Sequence, residues 1–90
     1  MTKINDLRKE IDNLDKNLVE TFEKRMEISK EISNLKNNQN LSITDKTRET
    51  QKIKQNNEYL KNKSFSKYTE SFTKELIKQS KKYQKALKKK

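Results

Sequence analysis

One helical pattern runs without interruption through more than a third of this 90-residue chain, from Ile4 to Leu35. Its apolar residues recur at alternating steps of three and four, which places them on one side of a helix. They are Ile4, Leu7, Ile11, Leu14, Leu18, Ile28, Ile32 and Leu35. The chain has no Gly and no Pro, so it lacks the residues that interrupt helices and form the tight turns of β-hairpins. The sequence therefore predicts an all-α protein.

This first helix is too long to be covered by the rest of its own chain. About 32 helical residues span roughly 50 Å, whereas a compact chain of this length has a radius of gyration of about 12 Å. A second copy of the chain is the simplest partner for the uncovered part. The length of the helix therefore predicts a homodimer.

Two shorter helices are expected to follow within one domain that covers residues 1–90. A polar break at 36–40 ends the first helix, which we place at about 5–37. A second helix is expected at about 43–61, with Ser42 and Asp45 forming a capping box at its start. A third helix follows a break at 62–64 and covers about 65–88.

Two missing residue types narrow the possible chemistry. The chain has no Cys and no His, which excludes disulfides, thiolate nucleophiles, His-based acid–base catalysis and the usual zinc sites. No apolar run is long enough for a membrane span or for the core of a signal peptide. We therefore expect a cytoplasmic protein with no bound metal and no membrane partner.

The net charge of +10 would ordinarily suggest a nucleic-acid partner. However, 20 of the 23 basic residues are Lys, and Asn is also abundant, which indicates a general bias that spreads Lys over solvated faces. The three Arg residues, Arg8, Arg25 and Arg48, stand out against this bias. A planar guanidinium can hold a carboxylate through two hydrogen bonds, which Lys cannot do. We therefore expect the Arg residues to bind a carboxylate and do not expect a nucleic-acid partner.

Arg25 lies on the apolar side of the first helix. Continuing the three-and-four spacing through the gap between Leu18 and Ile28 puts Thr21 and Arg25 on that side. A charge on an otherwise apolar stripe is unfavourable unless an anion meets it there. Arg25 therefore indicates a binding site for an anionic group.

Several polar residues are expected to face inward together with Arg25. The complete set is Arg8, Arg25, Lys36, Asp45, Arg48, Glu49, Ser80 and Gln84. Arg8 and Lys36 are roughly 40 Å apart along the first helix, so one chain cannot bring both to a small site. In an antiparallel dimer, Arg8 of one chain would approach Arg25 and Lys36 of the other, giving a pair of equivalent sites.

These residues form one long pattern. It reads Leu7-Arg8-x-x-Ile11-x-x-Leu14-Asp15, then Arg25, Lys36 and Asp45-x-x-Arg48-Glu49, and finally Leu76-Ile77-x-x-Ser80-x-x-x-Gln84-x-Ala86-Leu87. The pattern covers nearly the whole chain and resembles the all-helical (AroQ-class, type II) chorismate mutases. The resemblance implies an intertwined homodimer with three helices per chain that converts chorismate to prephenate in aromatic amino-acid biosynthesis. Because this Claisen rearrangement is unimolecular, the resemblance implies no nucleophile, metal or cofactor.

The resemblance also implies which residues hold the two carboxylates of chorismate. Arg25 would bind one carboxylate, and Arg8 of the partner chain would bind the other. Arg48 would lie near the second carboxylate, and Ser80 would contact a carboxylate. Holding both groups would keep the substrate in the compact conformer that reacts.

The same resemblance implies the residues at the reacting bond. Lys36 and Gln84 would donate hydrogen bonds to the ether oxygen, where negative charge builds as the bond breaks. Glu49 would accept a hydrogen bond from the ring hydroxyl, helped by Asp45. Lys36, Gln84, Arg25 and Glu49 are thus the expected catalytic residues.

Simpler structural interpretations stand beside these roles. Arg25 could set the register of a coiled coil, and Asp45 could be only a helix cap. Glu49 could pair with Lys46 or Lys52 on the helix surface.

Two other functions remain open from the sequence. An isochorismate–pyruvate lyase shares this fold and a similar set of cationic donors. A basic helical dimer that binds nucleic acid or a partner helix would show strongly salt-dependent affinity and would consume no chorismate.

Overall fold

The computed structural model describes residues 2–88. It contains three α-helices, α1 (Lys3–Asn38), α2 (Lys46–Glu58) and α3 (Ser66–Lys88), and a short 3₁₀ turn (Lys63–Phe65) precedes α3. No strand occurs in this part of the chain, which confirms the predicted all-α fold with one long and two shorter helices. None of the described helices combines the length and the apolar character that crossing a membrane requires.

α1 extends through almost the full length of the molecule. It starts two residues before the predicted position because Thr2 caps it, with Thr2 Oγ1 accepting a hydrogen bond from the backbone N–H of Asn5 at 3.3 Å. The 36 residues of α1 correspond to roughly 54 Å of helix, and the longest dimension of the chain is 56 Å. The radius of gyration is 16.4 Å, well above the value of about 12 Å for a compact chain of this size.

Asn40 terminates α1 in a left-handed backbone conformation, with φ of 55°. The backbone N–H of Leu41 donates to the carbonyl of Lys36 at 2.8 Å, and that of Asn40 donates to the carbonyl of Asn37 at 3.3 Å. These are the two hydrogen bonds of a Schellman motif, in which Gly is the usual residue at the left-handed position. Asn is the next best residue there, and this chain has no Gly.

Replacing Asn40 by Gly should stabilise the protein, because Gly has no Cβ to oppose a positive φ. We expect a gain of about 0.5 kcal/mol, and a loss of about 1–2 kcal/mol for Asn40→Val, whose branched side chain disfavours this conformation. Thermal unfolding followed by circular dichroism measures both changes. Asn37→Gly is the matched control, since its backbone is helical and Gly should not stabilise it. Equal effects at the two positions would contradict this account of the helix end.

α2 begins at Lys46 and not near Ile43, so the predicted capping box is wrong. Asp45 is itself the N-cap, with an extended backbone (φ −131°, ψ 93°), and its Oδ1 accepts from the backbone N–H of Arg48 at 3.0 Å. The Ser42 hydroxyl accepts an N–H within the preceding loop. Because Asp45 is the N-cap, the helix starts at the next residue, and Ser42, Ile43 and Thr44 lie outside it.

α2 also ends earlier than predicted, at Glu58 instead of 61. The side chain of Asn62 caps the 3₁₀ turn that follows: its Oδ1 accepts from the backbone N–H of Ser64 at 3.0 Å and from the Ser64 hydroxyl at 2.6 Å. Asn favours such local side-chain bonds over helical ones. The break between α2 and α3 is therefore longer than the sequence indicated.

α3 packs against both α1 and α2. The buried residues of the described chain are all polar: Ser29 and Ser33 in α1, and Thr73 and Gln84 in α3. Ser29 and Ser33 are one turn apart, and their small side chains let α3 come close to α1. At the contact with α2, Asn56 Nδ2 donates to Thr73 Oγ1 at 3.0 Å.

No hydrophobic side chain among the described residues is buried. Every residue from Thr2 to Lys24 is exposed, and Leu14 on the apolar side of α1 is 62% exposed. Phe65 in the 3₁₀ turn and the aromatic residues Tyr68 and Phe72 of α3 are at least half exposed. One chain therefore brings its helices together without covering the apolar stripe that the sequence pattern placed inside.

Candidate active site

A cavity of about 470 Å³ lies between the second half of α1, the first half of α2 and the second half of α3. Its walls contain seven of the eight predicted site residues. These are Arg25, Lys36, Asp45, Arg48, Glu49, Ser80 and Gln84. Three separate segments of the sequence are thus brought to one place by the packing of α3 against the other two helices.

Arg25 is held at the wall by α3. Its Nη1 donates to the Ser80 hydroxyl at 2.7 Å and more weakly to the backbone carbonyl of Leu76 at 3.5 Å. Burial lowers the pKa of the Arg25 guanidinium below its usual value, and the positive charge of Arg48 lowers it further. An Arg remains charged despite such a shift, so the cation is destabilised and favours a nearby anion. Neither of the ion pairs within the described residues involves Arg25.

Lys36 is partly buried near the C-terminal end of α1. Its Nζ donates to the backbone carbonyl of Ile43, in the loop before α2, at 3.2 Å. An ammonium group has three N–H donors, so this one contact orients Lys36 and leaves donors for a ligand in the cavity.

Gln84 is buried where α3 crosses α1. Its Nε2 donates to both the backbone carbonyl and the hydroxyl of Ser29, each at 3.0 Å. The carbonyl is fixed in the helix, whereas a Ser hydroxyl can rotate. Ser29 therefore orients the amide of Gln84 from the adjacent helix, and no feature of the sequence predicted this contact.

Glu49 forms an ion pair across the cavity wall with Lys81 of α3, at 3.1 Å between Oε2 and Nζ. The simpler interpretation, in which Glu49 pairs with Lys46 or Lys52 on its own helix, is wrong for this structure. Lys81 and Lys52 also line the cavity and were both missed as site residues. Their only sequence signal was position, because each lies three residues from a predicted site residue on the same helix.

Asp45 and Arg48 form the start of α2 at the mouth of the cavity. The Asp45 carboxylate accepts the backbone N–H of Arg48 as described above, so its capping role is established. Both side chains are exposed. The guanidinium of Arg48 is near enough to Arg25 to lower its pKa. Two Arg side chains therefore line the same cavity.

Arg8 does not belong to this cavity. It is exposed in the second turn of α1, and the 17 residues that separate it from Arg25 correspond to roughly 25 Å of helix. The site assembled within one chain is therefore a seven-residue subset of the predicted set.

The walls of the cavity combine positive charge with apolar surface. Five cationic side chains (Arg25, Lys36, Arg48, Lys52 and Lys81) face two carboxylates. Apolar contacts come from four isoleucines: Ile28, Ile32, Ile43 and Ile77. No group of three or more potential metal-ligating side chains occurs in residues 2–88. The arrangement suits an anionic ligand with an apolar ring.

Comparison with known protein families matches residues 7–85 to the family described as chorismate mutase type II. The matched range contains all eight predicted site residues. Searches among curated proteins and among solved structures gave no significant match.

Proposed function

The chain belongs to the type II chorismate mutase family, and on that premise we propose that its cavity binds chorismate and converts it to prephenate. The observation that carries this proposal is the convergence of seven predicted residues on one cationic cavity. Prephenate is a precursor of phenylalanine and tyrosine, so we place the reaction in aromatic amino-acid biosynthesis.

The two carboxylates of chorismate account for the excess of positive charge. Arg25 binds one of them, and an anion there offsets the cost of holding that guanidinium in a partly buried position. Ser80 already orients Arg25 and lies within reach of the same carboxylate. Arg48 approaches the second carboxylate from the start of α2. These contacts hold the substrate in the folded conformer from which the rearrangement proceeds.

The rearrangement breaks the ether C–O bond and forms a new C–C bond within one molecule. Electrons move in a ring, so the protein supplies neither a nucleophile nor a proton acceptor. Negative charge develops on the ether oxygen, and Lys36 and Gln84 donate hydrogen bonds to it in the transition state. Both N–H bonds of Gln84 are directed at Ser29 in the free protein. Rotation of the Ser29 side chain about Cα–Cβ moves Oγ away and releases one of them, while the Ser29 carbonyl keeps the amide in place.

The ring hydroxyl of chorismate meets the acidic side of the cavity. Glu49 accepts a hydrogen bond from it, and Asp45 supports this end of the site from the helix cap. A buried hydroxyl needs such a partner, because leaving it unpaired costs free energy. The contact also fixes the rotation of the ring relative to Lys36.

We further propose that two chains form an intertwined antiparallel homodimer. The exposed apolar side of α1 and the exposed aromatic residues of α3 need a cover that one chain does not supply. Placing the first half of α1 across the second half of its partner's α1 brings Arg8 to the cavity of the other chain, where it binds the second carboxylate. The length of α1 then serves two sites.

The dimer is tested by sedimentation equilibrium, where we expect a mass near twice the 10.8 kDa of one chain. Leu14→Lys places a charge in the middle of the apolar stripe and should produce monomers with much less helix. Helix is lost because a chain with no buried hydrophobic residue has little to stabilise it. Asn13→Lys, on the opposite side of α1, is the matched control and should remain dimeric. A folded wild-type monomer would contradict the proposal.

The enzymatic proposal is tested by incubating the purified protein with chorismate alone and identifying the product. We expect prephenate to form without added metal or cofactor. Isochorismate should not yield pyruvate, the product that would identify a lyase. Salt-sensitive nucleic-acid binding without chorismate consumption would instead support a non-enzymatic basic dimer.

A further inference from the structure

The ion pair between Lys81 and Glu49 lies in the cavity wall. It joins α3 to α2, but it is not needed to hold these helices together. The two side chains are 27% and 23% exposed, and Nζ lies 3.1 Å from Oε2. Partly exposed ion pairs contribute little to stability. The partly buried hydrogen bond between Asn56 and Thr73 already joins the same two helices. Both charged residues nevertheless line the cavity.

We propose that Lys81 is a positioning residue that aims the Glu49 carboxylate at the ring hydroxyl of the substrate. This inference rests on the function proposed above. A carboxylate has two acceptor oxygens, and Lys81 occupies Oε2. Among residues 2–88, no side chain or backbone group donates to the other oxygen, Oε1. Oε1 is the atom that accepts the hydrogen bond from the hydroxyl.

The physical reason is the flexibility of the Glu side chain. Glu loses considerable rotamer freedom when it is held in one orientation, and a ligand that must do this itself binds less well. Lys81 holds the carboxylate before the substrate arrives. Because the hydroxyl and the ether oxygen are on adjacent ring carbons, a fixed acceptor for the hydroxyl also selects the ring conformer that reacts.

The pair also defines which substituent the site accepts. A free carboxylate would attract an ammonium group, whereas a carboxylate already paired with Lys81 offers an acceptor beside a cation. A neutral hydroxyl fits this arrangement, and a cationic amino substituent is repelled by Lys81. Lys81 is therefore a specificity determinant as well as a positioning residue.

The test compares Lys81→Met, which keeps the length of the side chain without its charge, with Lys82→Met. Lys82 is exposed on the outer side of α3 and serves as the matched control. We expect Lys81→Met to lower kcat/KM for chorismate about 10-fold, mainly through kcat, and Lys81→Arg to recover most of the loss. Lys82→Met should remain at the wild-type rate. Thermal unfolding of each variant reports any structural damage, and Lys81→Gln replaces the Met variant if that variant fails to fold.

A double-mutant cycle tests whether the effect of Lys81 on activity depends on Glu49. In the Glu49→Ala background, Lys81→Met should cause no further loss, because the group it positions is gone. An analogue of chorismate without the ring hydroxyl should react at the same rate with wild type and Lys81→Met. Equal losses in both backgrounds, or a Lys81→Met variant with the activity of Lys82→Met, would overturn the inference. A wild-type protein that leaves chorismate unchanged overturns the proposed function itself, and this inference with it.

Discussion

Arg25→Ala is expected to lower kcat/KM for chorismate by about 10³-fold or more, with little change in helix content. The guanidinium is partly buried, its pKa is lowered by burial and by Arg48, and it has no carboxylate partner within the described chain. In the proposed complex, a substrate carboxylate supplies the missing negative charge. Without Arg25 this carboxylate enters the cavity with no bidentate donor, so both binding and orientation are lost.

Lys36→Ala should cause a loss of similar size that appears almost entirely in kcat. Its Nζ is oriented by the carbonyl of Ile43, and in the proposed complex it donates to the oxygen on which charge develops. Removing one such preorganised donor typically costs about 10²–10³-fold in rate, and a charged donor costs more. Steady-state kinetics over a range of chorismate concentrations separates this kcat effect from the mixed effect of Arg25→Ala.

Two control variants show whether these losses are specific to the cavity and to the guanidinium group. Lys30→Ala removes a cation from the exposed opposite side of α1 and should keep wild-type kinetics. Arg25→Lys retains the positive charge but cannot form two parallel hydrogen bonds to a carboxylate, so it should recover only a small part of the activity. If Arg25→Ala and Lys36→Ala both retained wild-type rates as folded proteins, the site assignment would be wrong. Circular dichroism and sedimentation report whether each variant keeps the fold and the oligomeric state of the wild-type protein.

Mixing two inactive variants should restore activity if Arg8 acts across the dimer interface. Arg8→Ala and Lys36→Ala chains are combined in denaturant and refolded together. In a dimer that contains one chain of each kind, one site has both defects and the other has neither. Random assembly makes half of the dimers mixed, so about a quarter of all sites are intact and about a quarter of wild-type activity returns.

The structure of a single chain makes this recovery a strict test. Arg8 is exposed and far from the cavity of its own chain, so no local movement brings it to the site. Refolding each variant alone provides the control, and neither should gain activity. A mixture that stays inactive despite mass-spectrometric proof of mixed dimers would show that Arg8 does not complete the partner's site.

Part of the fold was predictable because it depends on local spacing. The three-and-four repeat from Ile4 to Leu35 and the absence of Gly and Pro are sufficient for an all-α chain with one dominant helix. The ends of the helices were less accurate. Asp45 caps α2 alone, without the predicted capping box, and Asn62 draws the chain into a 3₁₀ turn. Each helix end depends on which of several nearby polar side chains accepts a hydrogen bond from a free backbone N–H.

The candidate site was predictable only to the extent that its residues follow a family pattern. Arg25 was also visible from periodicity, as a charge on an apolar stripe. Lys81 was not visible, because its partner Glu49 is 32 positions away and nothing local distinguishes it from the other lysines. The contact between Gln84 and Ser29 joins residues 55 positions apart and was equally hidden.

The sequence by itself determined the helical class, the long first helix and the unusual position of Arg25, because these follow from periodicity along one chain. Only the tertiary structure showed that Lys52 and Lys81 line the cavity beside the predicted Lys36. Lys36, Lys52 and Lys81 line the cavity because α3 packs against α1 and α2 together, and the direction of that crossing depends on buried contacts between distant segments. Helical spacing relates residues three or four positions apart. It carries no information about the rotation of one helix against another.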